Sequence, residues 1–266
     1  MLVVGTSSCQ FINARDSRPI DGICGFARDA VIPGYATYEA GQAGVGDIFD
    51  WFVKNGVPDA YAKEAQARGI GIHRLLRERV QAQRPGESGL LALDWLNGNR
   101  SLLNRSELSG VVLGLTLQTK PEEIYRAWLE AVAFGARMVF EAFLEKGFAV
   151  DQIIAAGGIA RKDDLMMQIY ADVLKRPIRI GGSVQTGALG SAIYAAVAGG
   201  VYPTVQAAAE RLSRPGERVF LPQAENCAIY DRLYAEYKRL HDYFGKGENP
   251  VLFRLNAERQ GAGASC

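Results

Sequence analysis

Apolar residues change their spacing along this chain, and the changes mark out its elements. Leu2 to Val4 and Cys9 to Asn13 read as strands joined by the turn Gly5-Thr6-Ser7-Ser8, which predicts a hairpin. Pro19 to Gly46 holds Gly22, Gly25, Pro33, Gly34, Gly41, Gly44 and Gly46, interleaved with Phe26, Ile32, Tyr35 and Tyr38. That mixture predicts a shaped loop wall rather than a linker. Asp47 to Asn55 has helical spacing, with Ile48, Phe49, Trp51 and Phe52 as its apolar side, and stops at Asn55-Gly56-Val57-Pro58. Residues 59 to 84 read as helical, Pro85 to Gly89 as a turn, Leu90 to Trp95 as a strand and Asn97 to Ser101 as a tight polar loop. A long helix is expected from a Thr119 cap with Pro121, Glu122 and Glu123 in its first turn, closing near Gly147. From residue 151 the order is strand, helix, strand, helix, which indicates an α/β layer architecture. A last helix is predicted from Glu225 to Phe244, faced by Tyr230, Tyr234, Tyr237 and Tyr243. Asn256 to Cys266 is polar and rich in glycine and alanine, so 249 to 266 is expected to be a partly disordered tail after a domain over 1 to 248.

Composition narrows the classes. The chain has 266 residues, 48% hydrophobic and 22% charged, the profile of a globular protein. Thirty basic against 29 acidic residues give a net charge of +1, which argues against broad nucleic-acid binding. No apolar run reaches the roughly 18 residues of a membrane span, and Met1 to Thr6 lacks the pattern of a signal peptide. Cys9, Cys24, Cys227 and Cys266 form no C-x-x-C pair, and His73 and His241 stand apart. A zinc site and a disulfide scaffold are both unexpected, and a reducing cytoplasm fits.

The chemistry-bearing feature is Ala155-Ala156-Gly157-Gly158-Ile159, where a strand from Gln152 hands over to an amphipathic helix. A second strand, Pro177 to Ile180, is followed by Gly187-Ala188-Leu189-Gly190, read as a second glycine turn opening a helix. Glycines at such handovers let a ligand approach the backbone and leave helix N-terminal amides free for phosphate. Taken alone, a Gly-Gly pair is equally a structural turn.

Several segments together resemble the FGGY family of carbohydrate kinases: Gly5-Thr6-Ser7-Ser8-Cys9, Pro33-Gly34-Tyr35, Tyr38-Glu39-Ala40-Gly41-Gln42 and Gly46-Asp47-Ile48-Phe49. Further along come Leu93 to Ser101, Glu130-Ala131, Ala133 to Arg137, Ala155 to Gly158, Gln168 to Val173 and Leu240 to Gly245. The resemblance runs from residue 2 to about 255 and is strongest to the branch that phosphorylates L-ribulose, with a xylulose-type pentulose kinase as the alternative.

The resemblance implies an actin- and hexokinase-like, ribonuclease-H-like fold in which two halves flank a cleft, this chain matching the C-terminal, ATP-binding half. It implies ATP and Mg2+ as cofactors, a ketopentose as acceptor and an N-terminal kinase half as partner; assembly into a homo-oligomer stays open. The catalytic aspartate and first phosphate loop belong to that other half. Met1 is expected to be an internal methionine of a longer frame, and this chain alone is not expected to phosphorylate sugar. A non-catalytic nucleotide-binding module is the reading from another class.

For individual residues, the resemblance makes Gly5, Thr6 and Ser7 a phosphate loop, Gly46, Gly157 and Gly158 nucleotide-facing glycines, and Glu39 a sugar-facing carboxylate. Glu39 is otherwise a solvated glutamate. Asp163 stands where many members carry a base-contacting Asn and is equally well placed to cap a helix. Asp94, Trp95, Asn97 and Arg100 either support the cleft or are purely structural.

Overall fold

The computed structural model describes residues 1–23 and 25–263; Cys24 and Cys266, two of the four cysteines weighed above, lie outside the described residues. The chain opens with β1 (Leu2–Val4), β2 (Ser8–Ala14), β3 (Phe26–Arg28) and β4 (Ala36–Gln42). It continues through α1 (Gly46–Asn55), α2 (Asp59–Ala67), α3 (Ile72–Gln81), β5 (Leu91–Leu93), β6 (Val111–Leu113) and the long α4 (Pro121–Glu145). The second part is β7 (Ile153–Ala156), α5 (Gly158–Lys162), α6 (Asp164–Leu174), β8 (Ile178–Ile180), α7 (Thr186–Ala198), α8 (Val205–Leu212), β9 (Val219–Phe220), α9 (Ala224–Gly245) and α10 (Val251–Gly263).

Among the described residues the main sheet runs in the order β3-β4-β2-β1-β7-β8-β9. The β1–β2 pair is antiparallel, as the hairpin pattern predicts, and so is the β2–β4 pair, while β1–β7 and β7–β8 are parallel. Parallel neighbours need crossovers, which α4 to the β7 edge and α5–α6 between β7 and β8 provide. A separate β5–β6 ribbon packs beside α4.

One sheet face is dry. Leu2, Val4, Ile153, Ala155, Ile178 and Ile180 point inward and meet α4 and α6, whose Trp128, Val132, Met167 and Tyr170 are buried. The opposite face carries Val3, Cys9, Phe11, Glu39 and Ile154, all half-buried or exposed. A polar knot ties the dry face to α9. The Ser8 hydroxyl donates to Gln42 Oε1 (2.9 Å), Gln42 Nε2 donates to Asp94 Oδ2 (2.7 Å) and Tyr237 OH donates to Asp94 Oδ1 (2.7 Å). Asp94 is buried, and burial pushes its carboxyl above the usual range even with these two donors.

The structure corrects several expectations. The 19–46 region is largely sheet: β3 and β4 lie inside it, and β4 is buried at every position but Glu39. Gly41 misled because it answers crowding, not flexibility; a Cβ there would sit 2.0 Å from Ser8 O. The 59–84 helix is two helices, broken where Gly69 takes a left-handed φ of 63°. Trp51 points to solvent, leaving Ile48, Phe49 and Phe52 as the buried face of α1. The α4 cap is Lys120, one residue after the expected Thr119: Thr119 Oγ1 accepts from Thr116 N, and Glu123 Oε2 accepts from Lys120 N. Gly187 and Gly190 lie inside α7 rather than in a turn before it. Most of the expected tail is α10, with Leu252 and Asn256 buried. Tyr243 is exposed, whereas Tyr230, Tyr234 and Tyr237 form the packed stripe.

Candidate functional site

The site is assembled at the C-terminal ends of β1 and β7, where parallel α/β neighbours open a crevice. After β1 the chain turns through Gly5-Thr6-Ser7, closed by a Gly5 N–H to Ser7 O bond of 2.9 Å. The turn is stitched to the start of α1: Val45 N and Asp47 N donate to Thr6 O (2.8 and 3.3 Å), and Gly46 N donates to Gly5 O (3.0 Å). The side-chain hydroxyls of Thr6 and Ser7 form no hydrogen bond among the described residues, so both are available to a ligand. After β7, Gly157 takes a φ of 100° and α5 begins at Gly158.

Between these turns and α3 lies a cavity of about 560 Å³. That volume is ordinary for a small-molecule pocket. Its wall includes Gly5, Thr6, Gly46, Gly158 and Asp163, so five of the eight sequence-predicted positions converge. Ser7 and Gly157 flank it without lining it, and Glu39 stands elsewhere, on β4. The glycines divide by cause. A Cβ on Gly157 would meet Val4 O at 2.3 Å and one on Gly46 would meet Gly5 O at 2.7 Å, so those two serve chain-to-chain approach. A Cβ on Gly158 would meet nothing within 4 Å; Gly46 and Gly158 both line the cavity, but of the three only at Gly158 is the Cβ position open.

Asp163 lines the cavity and also caps a helix. Its Oδ1 accepts from Met166 N (3.0 Å), capping α6, and its Oδ2 pairs with Arg77 Nη1 at 3.1 Å. Both oxygens are committed, and the side chain is buried. Arg77 itself lines the cavity.

Sequence reading missed the rest of the wall: Asp47, Phe49, Asp50, His73, Arg77, Tyr125, Ile159, Lys162 and Met166. A signal existed for two of them, since His73 and Arg77 are four apart and share one face of α3. Burial, then the neighbouring Arg77 guanidinium, hold the His73 imidazole below its ordinary value, while Asp50 and Asp163 pull the other way. Burial first, and then Asp163, raise the Tyr125 phenol. Lys162 has no hydrogen bond or ion pair among the described residues and is a free cation on the wall.

The β4 site is separate. The Glu39 carboxylate takes an ion pair from Arg100 through Oε1, and Cys9 Sγ lies 3.7 Å from that same oxygen. Asp94 and Trp95 are buried in the core and support the loop that carries Arg100, while Asn97 reaches Ala43 O at 3.4 Å.

The model for the FGGY family of carbohydrate kinases, C-terminal domain, matches residues 1–199. The chain belongs to the FGGY family of carbohydrate kinases. Among curated relatives of this FGGY chain, the protein named ribulokinase from Halalkalibacterium halodurans is 51% identical over 261 residues, covering 97% of this chain and 46% of the relative. The ribulokinase from Geobacillus thermodenitrificans is 50% identical, covering 100% of this chain and 48% of the relative. A solved xylulose kinase from Rhodospirillum rubrum superposes with a TM-score of 0.77 at 25% identity, over 95% of this chain and 47% of that one. A Plasmodium falciparum glycerol kinase solved with ADP gives a TM-score of 0.67 at 17% identity, over 90% of this chain and 46% of that one, which speaks to fold alone. The actin-like α/β ATPase fold expected from sequence is thus observed. The FGGY chain spans about half the length of the curated relatives it matches.

Proposed function

We propose that this chain is the ATP-binding half of an enzyme that transfers the γ-phosphoryl group of ATP to a primary hydroxyl of L-ribulose. The observation that carries the reading is the single cavity that gathers Gly5, Thr6, Gly46 and Gly158 around the cations Arg77 and Lys162. Two ribulokinases at 50% identity or more support the choice of acceptor. Phosphoryl transfer asks chiefly for positioning and charge stabilisation, and this wall offers both. The Thr6 and Ser7 hydroxyls would hold terminal phosphate oxygens, Lys162 would neutralise phosphate charge, and the base would lie against Phe49, Ile159 and Tyr125.

No group of three His, Cys, Asp or Glu side chains among the described residues could hold a metal. Of the three wall carboxylates, Asp163 is paired with Arg77, and Asp47 and Asp50 fit Mg2+ that arrives on nucleotide phosphates, since that ion is commonly bound by one or two carboxylates plus substrate oxygens. When bound, Mg2+ supplies charge neutralisation to the transferring group. Most of the sugar site, the general base that takes the hydroxyl proton and the first phosphate loop are assigned to an N-terminal half, with Glu39 of this chain facing the sugar from β4, and the setting to the cytoplasm.

The test has two arms. A fluorescent ATP analogue titrated into the 266-residue chain should bind and be displaced by ATP, with Lys162→Ala weakening it about tenfold, the scale of one charge-assisted contact. Mixing with the N-terminal half of a ribulokinase should restore ATP-dependent ribulose phosphorylation. Absence of nucleotide binding in the folded chain and in the mixture would sink the proposal.

A further inference from the structure

We propose that Arg100 is a positioning residue that fixes one oxygen of Glu39 so that the other is presented to a sugar hydroxyl. The inference rests on the reading above, in which Glu39 faces the acceptor. Three observations carry it.

The first is the asymmetry of the carboxylate. Arg100 Nη2 and Cys9 Sγ both address Oε1 of Glu39, while Oε2 receives no donor among the described residues. Arg100 also donates through Nη1 to Cys9 Sγ at 3.5 Å. One guanidinium therefore spans the β2 and β4 side chains and holds a single carboxylate oxygen. An exposed glutamate otherwise samples several rotamers, and ordering it on binding costs free energy.

The second is placement. In β4 every residue except Glu39 is buried, and Glu39 leaves the sheet on the open face, opposite α4. A strand fixes the Cα and Cβ, so the remaining freedom is in the side chain that Arg100 restrains.

The third is support for Arg100 itself. Ser101 Oγ accepts from Gly41 N in β4 (2.9 Å), Leu102 N donates to Gly22 O (2.8 Å), and Asn99 pairs with Arg105 through both backbone groups. The loop that carries the guanidinium is thus bonded to the strand that carries the carboxylate. Buried Trp95, a few residues upstream, anchors the loop's start.

The chemistry that fits Oε2 is a neutral polyhydroxyl compound whose O–H donates to a carboxylate. A phosphorylated sugar or other anion meets the charge of Glu39 only partly offset by Arg100, so the unphosphorylated acceptor is the expected ligand.

The experiment uses the enzyme assembled with its N-terminal half and reads KM for ribulose, KM for ATP and kcat, with Glu39→Gln, Arg100→Ala, Arg100→Lys and the Glu39→Gln/Arg100→Ala double variant. Arg100→Ala should raise KM for ribulose about tenfold with KM for ATP and the urea midpoint unchanged. Arg100→Lys should recover part of that loss, because it restores charge but one donor only. The double variant should be no worse than Glu39→Gln, since both changes remove the same contact. A ribulose KM unmoved by Arg100→Ala but raised by Glu39→Gln would overturn the positioning role and leave the Glu39 reading standing. A ribulose KM unmoved by Glu39→Gln would overturn both. A loss in Arg100→Ala that adds in full to that of Glu39→Gln would show that Arg100 acts elsewhere, and the inference would fail.

Discussion

Replacing Gly135 by alanine sets two physical effects against each other with opposite signs. Gly135 lies in the middle of α4, where helix propensity alone says that alanine should stabilise by about 1 kcal/mol. The surroundings say otherwise. A Cβ there would stand 2.6 Å from Gln42 Nε2 and 2.9 and 3.1 Å from the two oxygens of Asp94. Those atoms cannot retreat freely, because Gln42 Nε2 is bonded to both Asp94 Oδ2 and Val132 O, and Asp94 Oδ1 is bonded to Tyr237. Overpacking a tight interior costs about 1–3 kcal/mol, and loosening a donor from a buried carboxylate costs about 1–3 kcal/mol more. Offset by the propensity gain, the expected net loss is roughly 3 kcal/mol. Urea denaturation followed through tryptophan fluorescence reads this directly, since Trp95 and Trp128 are buried in the same core. Gly187→Ala in the exposed first turn of α7 is the control, with nothing within 4 Å of its Cβ; it should stabilise by up to about 1 kcal/mol. A Gly135→Ala chain as stable as the parent would refute the reasoning that the Asp94 knot leaves no room.

Other expectations follow from the site. Arg77→Ala strips the ion-pair partner from buried Asp163 and should cost about 2–3 kcal/mol of stability, less than a fully isolated buried charge because Met166 N remains; a midpoint shift below a quarter of that in urea would contradict it. Asp163→Asn should keep the α6 cap and cost less than Asp163→Ala, which loses cap and pair together, compared by the same denaturation assay. His73 has a folded value below 6.5, so the folded chain resists taking up the proton that the unfolded chain binds. Stability should therefore fall as pH drops below about 6.5, and the difference in unfolding free energy between the parent and His73→Asn should shrink through that window; a pH-independent difference would count against a half-buried imidazole that resists protonation. Gly157→Ala forces alanine to a φ of 100° with its Cβ 2.3 Å from Val4 O, and should lower the thermal midpoint far more than Gly158→Ala, whose Cβ is unobstructed.

Much of this molecule was legible where local chemistry decides. The Leu2–Val4 hairpin, the Asn55-Gly56-Val57-Pro58 stop, the long α4 and the 151–180 alternation of strand and helix all follow from period and turn residues, and all are observed. The β4 strand was not legible, because Gly41 sits where a Cβ would meet Ser8 O, and a glycine among the glycines and prolines of this stretch reads as loop. Gly5, Thr6, Gly46 and Gly158 were found through the order of motifs and do meet at one cavity. Arg77, Lys162 and Tyr125 escaped notice because their meeting with those turns depends on how α3, α4 and α5 pack, which no local pattern encodes. Asp163 was left between ligand and cap; packing of Arg77 against it commits both oxygens to structure.

The Ser8–Gln42–Asp94–Tyr237 knot joins residues spread over almost the whole length of the chain. A ribosome making this polypeptide from its N-terminus must translate α9 and let Tyr237 clear the exit tunnel before Asp94 can receive its second side-chain donor. Until then the β4–β5–α4 layer holds an acidic group in an apolar setting with half its partners. Helix α9 therefore completes the interior of the domain: a chain that ends before Tyr237 keeps a buried carboxylate short of one of its two side-chain donors.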